Sequence, residues 1–371
     1  MRLLIATGRV VLNFIYLFHK LFPVKDRISF ISRQNPEPSD DIRLLAEELK
    51  RISPETDIEI SCKMIEPGIS EKLRYLWNIV TRQMHLFATS KVVILDGYCI
   101  CAGILKHKKD LKIVQMWHAM GVFKKFGWMS VGEEEGASPK IARAMRMHKG
   151  YTTVFVSSEE CKKQMAKAFG CSEEIMEVMP LPRTDLILSK EYNEKMRSRI
   201  YEKYPQIKDK QVVLYAPTLR KKGDIKPYVE KMTEAFGHED YAFIVKLHPV
   251  EKERITSDKA IIDYDFSSMQ WLSCADHVVT DHSAIVFEAA LAGKPIYRYV
   301  PDIEEYDAWR GFLINPDEVI PAFVSQNADE IMQAVRQNIY DADAVKEFAE
   351  KYIHAGEDNT GKMAEYIAGL L

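Results

Sequence analysis

From Ile28 onward, short apolar runs rich in β-branched residues alternate with longer stretches of helical period, the pattern of a parallel sheet joined by crossover helices. In the first half the spacing predicts strands at Ile28–Ile31, Asp57–Ser61, Val92–Leu95, Ile113–Met116 and Thr153–Val156. Helices are expected between them near Asp40–Arg51, Ser70–Ala88 and Pro139–His148. The run Ser157-Ser158-Glu159-Glu160 offers a capping box, Cys161, Met165 and Ala168 follow on one helical face, and Gly170 supplies the stop. A polar, charged stretch from Lys190 to Lys210 then separates a second set of strands, Val212–Tyr215, Phe243–Leu247, Val278–Thr280 and Ile296–Tyr299. Its helices fall near Pro227–Phe236, Ala284–Ala292, Ala328–Asn338 and Ala344–His354. The fold class is α/β, and two doubly wound domains facing each other would bring both sheet ends to a central cleft, where such folds bind ligands.

The first residues follow a different pattern. Arg2, Arg9, Asn13, Tyr16 and Lys20 fall on one helical stripe, and Leu3, Leu4, Val10, Val11, Leu12, Phe14, Ile15, Leu17, Phe18 and Leu21 cover the remainder. Arg9, Asn13 and His19-Lys20 interrupt the apolar run, so a membrane-spanning helix is not expected. Residues 1–24 read instead as an amphipathic helix on a membrane surface, with Arg2, Arg9, Lys20 and Lys25 on anionic headgroups. The competing readings are a signal peptide, for which no small-residue cleavage site stands before Pro23, and a helix packed on the protein's own core.

A chain of 371 residues exceeds one ordinary core. Domains are expected at residues 25–205 and 206–345, with C-terminal helices over 346–371 able to pack back on the first domain. Lys and Arg number 51 against 54 Asp and Glu, a formal charge of −3, which disfavours nucleic-acid binding driven by charge. The six cysteines include no C-x-x-C pair and read as reduced thiols of a cytoplasmic protein, without a structural metal.

Candidate chemistry sits at strand ends. His118 follows an apolar strand and precedes a loop with Gly121 and Lys124-Lys125; His248 ends a strand of the second half in the same way. A neutral imidazole takes a proton from a hydroxyl, and its cation stabilises a phosphoryl oxygen near pH 7. A structural histidine is the alternative for each alone. Ser283, between a strand and an apolar helix, is a candidate N-cap beside backbone N–H groups suited to an anion. Arg183 and Arg220 are loop cations able to hold phosphates, whereas Lys221 and Lys222 read as solvated surface charge. No P-loop, G-x-G-x-x-G, H-E-x-x-H or G-x-S-x-G motif is present.

In order along the chain, Gln115–Gly121 with Trp117-His118, Pro182-Arg183-Thr184-Asp185, Tyr215–Arg220, Lys246-Leu247-His248-Pro249, Thr280-Asp281-His282-Ser283 and Tyr306–Phe312 resemble the CDP-glycerol glycerophosphotransferase family of teichoic acid synthesis. The resemblance implies a GT-B-like fold of two Rossmann-type domains, an acceptor domain followed by a CDP-alcohol-binding domain, attached peripherally to the cytoplasmic membrane face. By motif position His118 corresponds to the family's base and His248 to the histidine that stabilises phosphate. Ser283 matches the first serine of the family's Thr-Asp-Tyr-Ser-Ser turn, Glu288 an acidic residue near the bound alcohol, and Lys362 a C-terminal basic contact to the pyrophosphate. Ala119-Met120 replaces the usual Gly-Thr, His282 replaces tyrosine, and Ala284 removes the second serine hydroxyl, so the alcohol specificity is not carried over.

The resulting expectation is a transferase: His118 deprotonates an acceptor hydroxyl, which attacks the β-phosphorus of CDP-glycerol and releases CMP, with no obligatory metal or other cofactor. The acceptor is a polyprenyl diphosphate-linked saccharide or glycerol phosphate, and a module of this length favours priming. CDP-ribitol as donor, a nucleotide-sugar glycosyltransferase of the same fold, and a membrane-surface binding protein without turnover are the alternatives.

Overall fold

The computed structural model describes residues 2–371 apart from 135, 221–223, 238–240, 249, 250, 252 and 253, and the side chains of Arg2, Leu3, Leu4 and Arg310 also lie outside the description. Lys221, Lys222 and the expected membrane contact of Arg2 therefore fall outside the described residues and side chains. Two compact units are formed, one from residues 1–183 with 354–371 and one from residues 184–353.

The first unit holds strands β1 (Arg27–Ser32), β2 (Asp57–Cys62), β3 (Val92–Leu95), β4 (Lys112–Gln115), β5 (Thr153–Val156) and β6 (Met176–Val178), all parallel in the order β2-β1-β3-β4-β5-β6. Every residue of β1, β3 and β5 is buried, as befits parallel strands covered on both faces. The helix Asp40–Ile52 shows why sequence pattern and packing agree here. Ser39 accepts from the Ile42 N–H, Asp40 and Asp41 occupy the positive end, Lys50 and Arg51 the negative end, and Ile42, Leu45, Ala46 and Leu49 form the buried face. The C-terminal helix Asn359–Ala368 packs on it through Met363, Ala364 and Ile367.

The second unit holds β7 (Gln211–Ala216), β8 (Tyr241–Val245), β9 (Ile261–Ile262), β10 (His277–Thr280), β11 (Ile296–Tyr299) and β12 (Phe323–Ser325), parallel in the order β12-β11-β10-β7-β8-β9. Val213, Tyr215, Phe243, Val245, Val279 and Tyr297 from the sheet pack with Met232, Phe236 and Ile331 of its helices. Counted within the unit, this is the 3-2-1-4-5-6 order of dinucleotide-binding folds, whereas the first sheet follows the 2-1-3-4-5 order with one added strand. Each order reverses once, between β1 and β3 and between β7 and β10, and ligands of such sheets bind beyond the strand C-termini at that reversal.

Several expectations are corrected. The strands β6, β9 and β12 have only two or three residues each, too short for a period to show in the sequence. The stretch from Lys190 is not a linker but a helix, Lys190–Lys203, capped by Ser189 and seated by Met196 and Ile200. Arg197 Nε donates to Ser273 O at 2.9 Å and Tyr204 Oη to Asp263 at 2.7 Å, which is why the second unit begins at Thr184 instead of residue 206. The Ser70–Ala88 helix is split: Ile69–Asn78 buries no residue, a π-helical turn follows at Ile79–Gln83, and Met84–Thr89 is almost wholly buried. Buried Gln83 anchors the break, donating to Asn78 at 3.1 Å and accepting from the Cys99 and Cys101 thiols. The helix predicted to reach His148 ends at Ala144, where Arg146 and His148 take positive φ. Ser158 makes no capping bond; its hydroxyl turns to Cys161 Sγ, while Gly170 closes that helix in the left-handed region as expected. None of the six cysteines forms a disulfide.

The N-terminal helix, Arg2–His19, forms as expected within residues 1–24, but its polar stripe faces the protein instead of pointing outward. Arg9 donates to Ala144 O at 3.3 Å, Asn13 to Ile104 O at 2.9 Å, Tyr16 Oη lies 3.1 Å from His107 Nδ1, and Lys20 donates to Lys106 O at 3.2 Å. Ile104 and Ala144 end their helices, so the stripe satisfies carbonyls that a helix C-terminus leaves open. The apolar face is the exposed one. No helix among the described residues is long and apolar enough to cross a membrane.

Candidate active site

Each unit carries a polar cluster where its sheet order reverses. In the first, Gln115 at the end of β4 donates to Gly97 O and accepts from the Trp117 N–H, both at 3.0 Å, which holds Trp117 at φ 65°. Phe126 stacks on the indole at 4.8 Å and Phe169 meets it edge-on at 5.2 Å. A non-glycine residue in that region costs of order 1–3 kcal/mol and persists only when its surroundings fix it. The kink delivers His118 to the C-terminal end of the sheet, beyond β4.

His118 Nδ1 lies 2.7 Å from the Asp96 carbonyl oxygen, and the Gln34 amide sits 3.3 Å from the same nitrogen. A carbonyl only accepts, whereas the Gln34 amide nitrogen only donates and would need a lone pair on Nδ1; the shorter contact, 2.7 Å against 3.3 Å, decides, placing the proton on Nδ1 and the lone pair on Nε2. Burial holds the imidazole below the ordinary histidine pKa and Arg183 adds to this, against the upward pulls of the Asp96 carbonyl and Asp41. His118 is therefore neutral at pH 7, the state a general base requires. Arg183 is not a solvated loop cation: its Nε and backbone N–H donate to the Asp41 carboxylate at 2.8 and 2.9 Å, Nη2 pairs with Asp41 as well, and Nη2 also reaches His118 O at 3.3 Å. Asp41 is 1% exposed.

Asp96, directly after β3, accepts from Ser32 Oγ on Oδ2 at 2.6 Å, while its buried Oδ1 has no hydrogen-bond partner among the described residues. Burial pushes its carboxyl up to about 6 in spite of the Ser32 bond. An unfolded aspartate titrates near ~3.9, so the folded chain holds this proton more tightly; the carboxylate costs stability above pH 6, and the cost vanishes below about pH 4. Asp96→Asn is accordingly expected to stabilise the first unit by ~1–3 kcal/mol near pH 7.5 and not at all near pH 4. Urea unfolding at the two pH values checks this, and an equal change at both contradicts it.

In the second unit Asp281 follows β10 and accepts from the Thr218 N–H at 2.9 Å and the Thr218 hydroxyl at 2.7 Å. Arg220 pairs with Asp281 at 2.8 Å and Asp302 at 2.6 Å and donates to Thr218 O at 2.9 Å. Burial alone would lower its pKa, but the two carboxylates outweigh that and raise it. Arg220 is thus a buried strut between the loops leaving β7 and β10, and most of its N–H groups are already engaged. Arg298, fully buried, donates to Asp281 O at 3.1 Å and pairs with Asp317.

The helix after β10 begins at Ile285, so Ser283 is not its N-cap; Ser283 Oγ accepts from the Ile285 N–H at 3.4 Å. Glu288 is buried in that helix. His248, three residues beyond β8, is exposed and its carbonyl accepts from the Glu251 N–H at 2.8 Å. Lys362 is exposed on the C-terminal helix, two residues after Thr360, whose hydroxyl reaches Pro182 O at 3.5 Å. The first unit thus gathers His118 and Arg183, and the second places Ser283 beside the Asp281–Arg220 pair. Asp41, Asp96 and Gln34 were not singled out from the sequence. Asp96-Gly97 immediately after an apolar strand carries the same strand-end signal that marks His118; Gln34 carries none.

Two parallel α/β sheets with polar clusters at their reversals match what the six motifs suggest: the chain belongs to the CDP-glycerol:poly(glycerophosphate) glycerophosphotransferase family, whose family model matches residues 13–369. It is 28% identical over 369 residues to the teichoic acid ribitol-phosphate primase of Bacillus spizizenii, covering 96% of this chain and 94% of that protein. The teichoic acid glycerol-phosphate primase of Bacillus subtilis is 26% identical over 298 residues, 78% of this chain and 76% of that one. The solved wall teichoic acid polymerase TagF superposes with a TM-score of 0.76 at 18% identity, over 100% of this chain and 96% of that one, a likeness of fold.

Proposed function

We propose that this protein transfers glycerol phosphate from CDP-glycerol to a hydroxyl of a membrane lipid-linked, teichoic acid-type acceptor and releases CMP. The observation that carries the reading is the fixed tautomer of His118 at a strand C-terminus, neutral and with Nε2 as its basic nitrogen. In the reaction Nε2 takes the acceptor proton, the oxygen attacks the β-phosphorus in line, and the bond from that phosphorus to the bridging oxygen breaks, so CMP leaves with the bridging oxygen. Arg183 acts through position, tying the His118 carbonyl to buried Asp41. His248, Ser283 and Lys362 are assigned to the donor phosphates and Glu288 to the alcohol by their family positions, and Arg220 keeps the Asp281 turn in shape. The enzyme works peripherally at the cytoplasmic membrane face, held there by the exposed apolar side of its N-terminal helix.

CDP-ribitol is the second reading, favoured by the ribitol-phosphate primase that aligns over nearly the whole of both chains. Following CMP release from CDP-glycerol and CDP-ribitol in EDTA-containing buffer, with a lipid-linked glycerol phosphate acceptor, is expected to give turnover with one donor strongly preferred. Preference for CDP-ribitol replaces the first reading by the second, turnover that EDTA abolishes removes the metal-independent mechanism, and UMP or UDP release from a uridine donor alone defeats the proposal.

A further inference from the structure

A groove of about 560 Å³ runs between the N-terminal helix and the rest of the first unit, within the range of small-molecule sites. Val10, Phe14 and Leu17 line one side of it and Arg9, Lys106 and Arg146 lie around it, with no carboxylate in the lining. Arg9 spends Nη1 on Ala144 O, but its buried Nε has no partner among the described residues. Lys106 and Arg146 are exposed, and their side chains make no ion pair or hydrogen bond among those residues. An apolar channel ringed by three uncompensated cations suits an amphiphile with an anionic head, not a free anion.

The outer wall indicates where that amphiphile comes from. Val10 is 70% exposed, Phe14 60% and Leu17 55%, and the apolar surface continues through Phe18 at 57% and Leu21 at 81%. Monomeric proteins seldom leave such a contiguous apolar face in water. A helix lying at the acyl boundary with this face down would bring the groove to headgroup depth, where cations meet lipid phosphates.

We propose that this groove seats one anionic glycerophospholipid of the bilayer, its phosphate on Arg9, Lys106 and Arg146 and an acyl chain along Val10, Phe14 and Leu17. The proposal rests on the membrane-attachment reading and adds to it a discrete lipid site, so that the helix senses lipid charge as well as inserting.

The test is flotation of the full chain with vesicles of phosphatidylcholine, alone or mixed with phosphatidylglycerol, at fixed ionic strength. The pair Lys106→Gln/Arg146→Gln is expected to lose roughly 30-fold in affinity for the phosphatidylglycerol vesicles, about one kcal/mol for each cation, and to keep its weak affinity for phosphatidylcholine. Lys195→Gln/Lys208→Gln, which removes the same charge from exposed positions of the second unit, is expected to bind as the unaltered chain does. Native mass spectrometry should retain one phosphatidylglycerol on the unaltered chain and none on the groove pair. Unchanged binding by the groove pair, an equal loss in the control pair, or binding that only a polyprenyl phosphate confers would each overturn the lipid seat. Failure of the unaltered chain to bind either vesicle overturns membrane attachment as a whole, whereas attachment alone survives if Phe18→Ser/Leu21→Ser, outside the groove lining, abolishes binding and the groove pair does not.

Discussion

Replacing His118 with alanine is expected to lower alditol phosphate transfer by roughly 10²–10⁴-fold, the usual worth of a positioned general base, while CDP-glycerol binding stays within a few-fold of the unaltered chain. The split follows from where the imidazole is held. Its Nδ1–H is committed to the Asp96 carbonyl, so the deletion removes a proton acceptor and leaves the strand ends in place. The pH dependence follows from the same geometry. Because burial and Arg183 hold His118 below the ordinary histidine pKa, its basic form persists to lower pH, and the acidic limb of kcat/KM should lie below about pH 6.5. Steady-state CMP release from pH 5 to 8, together with calorimetric titration of CDP-glycerol, checks both points. Wild-type turnover in His118→Ala discards the base, and an acidic limb above pH 7 contradicts the lowered pKa.

Arg220→Met should destabilise the second unit by ~3–5 kcal/mol, because it keeps the side-chain volume but leaves the Asp281 and Asp302 carboxylates buried without their shared cation. Methionine is chosen over alanine so that cavity formation does not account for the loss. Arg220→Lys is expected to recover only part of it, since one ammonium cannot reproduce the planar fork that spans both carboxylates and Thr218 O. Urea unfolding followed by probes in the second unit would show the shift, and unaltered stability in Arg220→Met would refute the strut. If Arg220 instead served mainly as a surface phosphate anchor, the substitution would raise the donor KM and leave folding untouched.

Where a strand or helix is long and its burial one-sided or complete, the sequence was read closely. Val92–Leu95, Thr153–Val156 and Ile296–Tyr299 emerge with unchanged limits, because a short run of β-branched and aromatic residues between turn signals has few other solutions. The helix expected near Asp40–Arg51 forms over Asp40–Ile52. What could not be read depends on partners far away in the chain. The π-helical turn at Ile79–Gln83 exists because Gln83 meets Cys99 and Cys101, and nothing in the local period announces that. His118 was found from its strand-end position, but its tautomer is set by a carbonyl 22 residues earlier. Arg183 and Arg220 looked like loop cations because their carboxylate partners, Asp41, Asp281 and Asp302, come from other elements. The N-terminal helix is the sharpest case: periodicity identified its two faces, but only tertiary hydrogen bonds decided which one turned inward.

The chain leaves the first unit after Arg183, builds the whole of the second, and returns at His354. Vectorial synthesis therefore makes the whole of residues 184–353 before the helix Asn359–Ala368, which packs on the helix Asp40–Ile52 of the earlier half. The portion begun first is thus the last to be completed, and a chain cut before residue 359 would leave the apolar face of the helix Asp40–Ile52 without its C-terminal cover.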